Sequence, residues 1–144
     1  MNSPEAYDYL VVVGDLLHGG QKMPDTTYAF LQEAAARDVE LIGLCTGSFM
    51  LARAGFLDGH LTCVSWFHPE AFMTEFSRCV SCRTRCSWLD RDRLTCAGGT
   101  SVVHLAAEVI EKAIGRASAV KALRITIEEQ PLPFRTLQPE EVLP

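Results

Sequence analysis

Residues 41–66, LIGLCTGSFMLARAGFLDGHLTCVSW, decide the fold. Val39 to Leu44 is a short apolar run of the length of a buried strand. It stops at Gly43-Leu44-Cys45-Thr46-Gly47, and Phe49 to Ala54 follows as a helix that Gly55 ends. A buried strand that turns into a helix through G-x-C-x-G is the setting of a nucleophile elbow with cysteine in place of serine. The flanking glycines leave room for neighbouring backbone. A helix beginning at Thr46 would favour the thiolate and offer N–H groups to an anion. The alternative is an inert buried cysteine at a strand end, and this short pattern alone does not separate the two.

Working outward, Asp58-Gly59 makes a tight turn and Leu61 to Trp66 a third strand. Upstream, Tyr9 to Val13 (YLVVV) is another continuous apolar run. It is followed by a Gly-rich loop, Gly14 to Pro24, and by a helix from Asp25 to about Arg37. Downstream, Pro69 to Phe76 starts with the proline expected in a first helical turn. Cys79 to Leu89 fits either one strand or an irregular hairpin. Leu94 to Ala97 is a strand, Gly98-Gly99-Thr100 opens a helix to about Ile114, Gly115 breaks it, and Ala117 to about Glu128 is a last helix. Strands alternating with helices imply a mainly parallel sheet with helices on both faces, whose ligands bind at the carboxyl ends of the strands. Two segments are expected: a domain over residues 1–129 and a proline-rich linker over 130–144.

Composition narrows the function. Of 144 residues, 48% are hydrophobic and 22% charged, which suits one globular domain. A net charge of −5 is the wrong sign for a nucleic-acid surface, and the thin cluster Arg83, Arg85, Arg91, Arg93 does not reverse it. No apolar stretch approaches the roughly 18 residues that span a bilayer, and residues 1–10 lack a signal-peptide pattern. A cytoplasmic location with no membrane partner is expected. The six cysteines are then thiols and not a disulfide framework.

Residues 41–66 resemble the elbow block of GlxA-type regulators of the AraC family. The sensor domain of those regulators is similar to ThiJ/PfpI proteins and class I glutamine amidotransferases. The resemblance is carried by Cys45-Thr46-Gly47, Leu51-Ala52-Arg53-Ala54-Gly55, Leu57-Asp58-Gly59 and Cys63-Val64-Ser65-Trp66-Phe67-His68. A second block is Leu94-Thr95-Cys96-Ala97-Gly98-Gly99, and the likeness continues through Gly115-Arg116-Ala117 and Lys121-Ala122-Leu123. It implies a flavodoxin-like, doubly wound α/β fold. Such domains begin with a further strand–helix–strand, which is not seen before Tyr7. Their helix-turn-helix region would follow the proline-rich tail. The expectation is a sensor domain cut at both ends, with uncovered strand edges and a tendency to homo-oligomerise.

The same resemblance implies a small-molecule effector, nitrogen-containing, held near Cys45, Thr46 and Gly47. His18, Ser65, Trp66 and His68 are further candidate lining residues. DNA contact would come only through a separate C-terminal domain, and no cofactor or metal is implied. Against catalysis, Thr46 occupies the place where ThiJ/PfpI-type peptidases carry histidine, and Ser65 the place where many regulators do. Cys45 remains the candidate nucleophile of an alternative reading as a cysteine hydrolase (amidase, peptidase or deglycase), which would need a base within reach. His18 either lines the pocket or is an exposed loop residue. His60 is expected to be solvated, and His104 to be packed or on a helix surface. Cys79, Cys82 and Cys86 form C-x2-C-x3-C, with Cys96 beyond, which permits a third reading as a zinc site. Buried thiols are the simpler account. Cys63, Cys96 and Trp88 are assigned to the core.

Overall fold

The computed structural model describes residues 3–14, 23–65, 67–82, 84–133 and 136–138. Apolar runs became strands and the amphipathic stretches between them became helices. In order these are β1 (Tyr9–Val13), α1 (Asp25–Ala35), β2 (Glu40–Leu44), α2 (Gly47–Arg53), β3 (Leu61–Cys63) and α3 (Pro69–Glu75). There follow β4 (Val80–Cys82), β5 (Ser87–Asp90), β6 (Arg93–Cys96), α4 (Ser101–Ile114) and α5 (Arg116–Ile125).

Four strands form one sheet in the order β1-β2-β6-β5. β1, β2 and β6 are parallel, with Leu10 beside Leu41 and Ile42 beside Leu94, while β5 runs antiparallel to β6. The sheet alternates as a two-faced strand must. Leu10, Val12 and Leu41 face α1, α2 and α3, where Leu31, Phe49, Leu51, Phe72 and Cys79 complete one core. Tyr9, Ile42, Leu44, Leu94 and Cys96 face Val102, Leu105 and Val109 of α4. α5 packs behind α4 through Ala107, Ala119 and Leu123. Helices therefore cover both faces of a mainly parallel sheet, the expected doubly wound arrangement.

Three features differ from expectation. The ambiguous stretch 79–89 splits into β4 and β5. β4 does not join the main sheet; it pairs in parallel with β3, Cys63 beside Cys82. β3 is shorter than foreseen, and side chains anchor it to the main sheet. Leu61 N–H donates to Asp90 Oδ2 at 2.7 Å, and Cys63 N–H to Thr95 Oγ1 at 2.8 Å. His60 is not solvated. Its ring is packed against Asp90, with Nδ1 3.3 Å from the Asp90 carbonyl and 3.7 Å from Oδ2. The strand start that Asp90 holds draws the neighbouring imidazole in with it.

β1 is an edge strand, and Val11 and Val13 are half or more exposed on it. No charge or proline interrupts its five residues, so the strand itself carries neither of those protections against pairing.

Candidate functional site

The elbow is a backbone construction. β2 ends at Leu44, and Cys45 takes a left-handed conformation, φ 55°, which is unusual for a residue with a side chain. Its N–H donates to the Cys96 carbonyl at 3.2 Å, tying it to the end of β6. Its own carbonyl accepts from the Ser48 N–H at 3.3 Å and the Ser48 hydroxyl at 2.8 Å. Ser48 is fully buried, so the turn is held from below. Holding a non-glycine residue there costs of order 1–2 kcal/mol, which these three hydrogen bonds offset.

Two glycines let other chain segments close on this turn. A Cβ on Gly47 would stand 2.1 Å from the Val12 carbonyl oxygen, so β1 and the start of α2 touch backbone to backbone. A Cβ on Gly98, φ 97°, would stand 2.8 Å from both Cβ and Sγ of Cys45. Gly98 thus lies against the thiol, a neighbour that the motif in residues 43–47 does not reveal. The Gly98-Gly99 pair after β6 is the only sequence signal for it.

Ser65 and His68 arrive from β3. Leu61 is level with the β5–β6 turn and Cys63 with Thr95, so β3 runs in the direction of β6 and ends on the same edge as Cys45. Ser65 is half-buried; its hydroxyl accepts from Phe67 N–H at 3.3 Å and its carbonyl from His68 N–H at 3.0 Å. His68, also half-buried, caps the start of α3. The structure therefore places Cys45, Thr46 and Gly47 together with Gly98, and Ser65 just beyond the end of β3 on the same sheet edge, with His68 following at the start of α3. His18 and Trp66 lie outside the described residues. His104 is buried on α4, where Nδ1 accepts from the Leu132 N–H at 3.2 Å.

Of the remaining thiols, Cys79 stands apart from the other four. Cys79 sits in the core beside Phe49 and Phe72, while Cys82 is on β4 and Cys86 precedes β5. Among the described residues, no group of three or more His, Cys, Asp or Glu is arranged to hold a metal. Cys63 and Cys96 are core, as expected. Trp88 is half-buried, with the Arg85 guanidinium 4.1 Å above its ring. Burial pushes the Cys63 thiol well up, helped by neighbouring Cys96, Cys82 and Cys86. Burial, with Asp58 nearby, pushes Cys79 from its usual 9.0 up to about 11. A thiol whose folded pKa is raised favours the folded state fully below its unfolded pKa, and that contribution is lost as pH rises towards the folded value. The melting temperature should therefore hold up to about pH 8.5 and fall between about pH 9 and 11. Replacing both Cys63 and Cys79 by alanine should lessen that fall, with Cys86 and Cys96, whose thiols burial also pushes up, keeping part of it, which calorimetric melts across the range will show.

A wide hollow of about 730 Å³ lies at the other end of the strands, lined by Tyr7, Asp8, Arg37, Glu40 and Lys112. Ion pairs from Arg37 to Glu5 (2.6 Å) and from Lys112 to Glu40 (3.3 Å) border it. It is at the amino ends of β1 and β2, opposite the edge where open α/β sheets take ligands.

No family model matches the chain. Among curated proteins, it is 36% identical over 116 residues to the HTH-type transcriptional regulator GbdR of Pseudomonas aeruginosa. That match covers 80% of this chain and 30% of the regulator. The HTH-type transcriptional regulator CdhR of the same organism is 34% identical over 114 residues, 75% of this chain and 34% of that one. The chain thus spans about a third of the length of these relatives. Among solved structures, an AraC-family transcriptional regulator from Pseudomonas putida superposes with a TM-score of 0.67 at 25% identity, covering 83% of this chain and 63% of that one. A ThiJ/PfpI family protein from Pseudomonas syringae shares the fold, with a TM-score of 0.60 at 23% identity over 77% of this chain and 45% of that one. By sequence the chain is similar to part of HTH-type transcriptional regulators, and its fold is the one shared by an AraC-family regulator and by ThiJ/PfpI proteins.

Proposed function

We propose that this chain is the effector-sensing and dimerising part of an AraC-type regulator working in the cytoplasm. A small nitrogen-containing metabolite binds at the carboxyl edge of the sheet, against Cys45, Thr46, Gly47, Ser65 and His68, with His18 and Trp66 completing the lining. Residues 130–144 are the linker towards a separate DNA-binding domain. The observation that carries this reading is the left-handed Cys45 turn, set on the sheet edge with Gly98 against its sulfur, in a chain whose relatives are transcription regulators. Two of the four histidines are engaged away from the thiol. His60 is engaged with Asp90 and His104 with Leu132, and Thr46, next to the thiol, is no base. No described helix is long and apolar enough to cross a membrane. The net charge of −5 fits a part of the regulator that does not itself hold DNA.

Calorimetric titration with a panel of amino acids, amines and quaternary ammonium compounds tests the proposal. One compound class should bind, and Ser65→Tyr, which fills the edge, should weaken it about tenfold or more. Absence of binding across the panel would count against the reading. Hydrolysis of an amide or glycated substrate, abolished by Cys45→Ser, would replace it with the hydrolase.

A further inference from the structure

The described residues of the tail beyond α5 are docked. Leu132 N–H donates to the buried His104 ring at 3.2 Å. Leu137 forms an antiparallel bridge with Arg85. The Thr136 carbonyl accepts from Cys86 N–H at 3.0 Å, and Gln138 N–H donates to the Thr84 carbonyl at 2.6 Å. Gln138 is the anchor. Its side chain is buried, 6% exposed, and its Nε2 donates to the carbonyls of Val64 (2.8 Å) and Arg85 (2.6 Å). An amide nitrogen has two donors, and both find backbone acceptors here. A glutamine enclosed this way at the end of a proline-rich tail is a built contact, because burying its amide without partners would be unfavourable.

The seat of this tail adjoins the cysteine turn. Cys45 N–H bonds to the Cys96 carbonyl, the next residue's N–H (Ala97) bonds to the Cys86 carbonyl at 2.8 Å, and Cys86 N–H bonds to Thr136. One continuous line of peptide groups therefore joins the elbow to the tail. On the other side, Gln138 holds Val64, the residue before Ser65. Both walls of the candidate site are thus gripped by the same short segment.

We propose that residues 131–133 and 136–138 belong to a strap, clasped by Gln138, whose seating is coupled to the Cys45–Gly98 turn and passes changes there to the chain beyond. The signalling role rests on the sensor reading above; the coupling itself does not. Coupling of this kind is reciprocal, so loosening the strap must also be felt at the turn.

The test uses Gln138→Ala in the full chain, with Leu137→Ala as control because that side chain is largely exposed. Trypsin cleavage after Arg135, followed through the released 136–144 peptide, reports the strap. Alkylation by iodoacetamide, resolved cysteine by cysteine by mass spectrometry, reports the turn. In Gln138→Ala the cleavage should quicken by about fivefold or more, and Cys45 labelling should change by about threefold or more. Cys79, in the core beside Phe49 and Phe72, should keep its rate, and Leu137→Ala should change neither readout. Unchanged cleavage would remove Gln138 as the clasp. Faster cleavage with unaltered Cys45 labelling would overturn the coupling, as would an equal rise at every cysteine. No metabolite enters this experiment, so a failed ligand search has no bearing on its outcome.

Discussion

Gly47→Ala should destabilise the domain by about 3 kcal/mol or more, enough to leave much of the chain unfolded or insoluble at 37 °C. The added methyl carbon would sit 2.1 Å from the Val12 carbonyl oxygen and 3.0 Å from its carbon. Neither atom belongs to a side chain that can turn away. Relief requires β1 to part from α2, which opens the core that Leu10 and Val12 share with Phe49 and Leu51. Cys45→Ala, in the same turn, keeps its backbone and removes only a half-buried sulfur. It should cost less than about 1 kcal/mol. Urea titrations of the two variants give the comparison, and equal midpoints would contradict the close approach.

Phe72→Ala should cost about 3–5 kcal/mol. Its ring is fully buried and stands edge-on to Phe49 at 5.0 Å, with Phe76 4.9 Å away. Those three rings join α3 to α2 above the sheet, and α3 is only seven residues long. It cannot hold itself together without them. Total stability for a domain of this size is about 5–15 kcal/mol, so the loss is a large fraction of the whole. Phe72→Leu retains most of the apolar volume and should cost roughly half as much or less. A lowered urea midpoint with an unchanged slope is the expected signature.

The main sheet was legible because each of its parallel strands is a short, largely apolar stretch that ends at or near a turn residue. YLVVV stops at Gly14, VELIGL at the cysteine and RLTC near Gly98. The elbow was legible for the same reason, since the spacing of Gly43, Cys45 and Gly47 dictates where backbone can approach. What surrounds the elbow was not. Gly98 is far along the chain from Cys45, and the Gly98-Gly99 pair marks a turn without saying which residue it meets. The short β3 and β4 gave too few residues to show which sheet they join; the decision rests on Asp90 and Thr95 side chains that reach Leu61 and Cys63. Gln138 looked like part of a polar, proline-rich spacer. Its partners, Val64 and Arg85, are 74 and 53 residues away, and a neutral amide carries no pattern that betrays them.

The close approach of Val12 to Gly47 also bears on how such motifs persist. The glycine is required by the fit of one strand against one helix, whatever the neighbouring sulfur does. A lineage that loses turnover would keep Gly-x-Cys-x-Gly through purifying selection on folding alone. A library screened only for soluble expression should therefore recover glycine at position 47 while position 45 drifts among residues that tolerate its backbone. In that setting a motif match records steric inheritance, and by itself is no measure of chemistry.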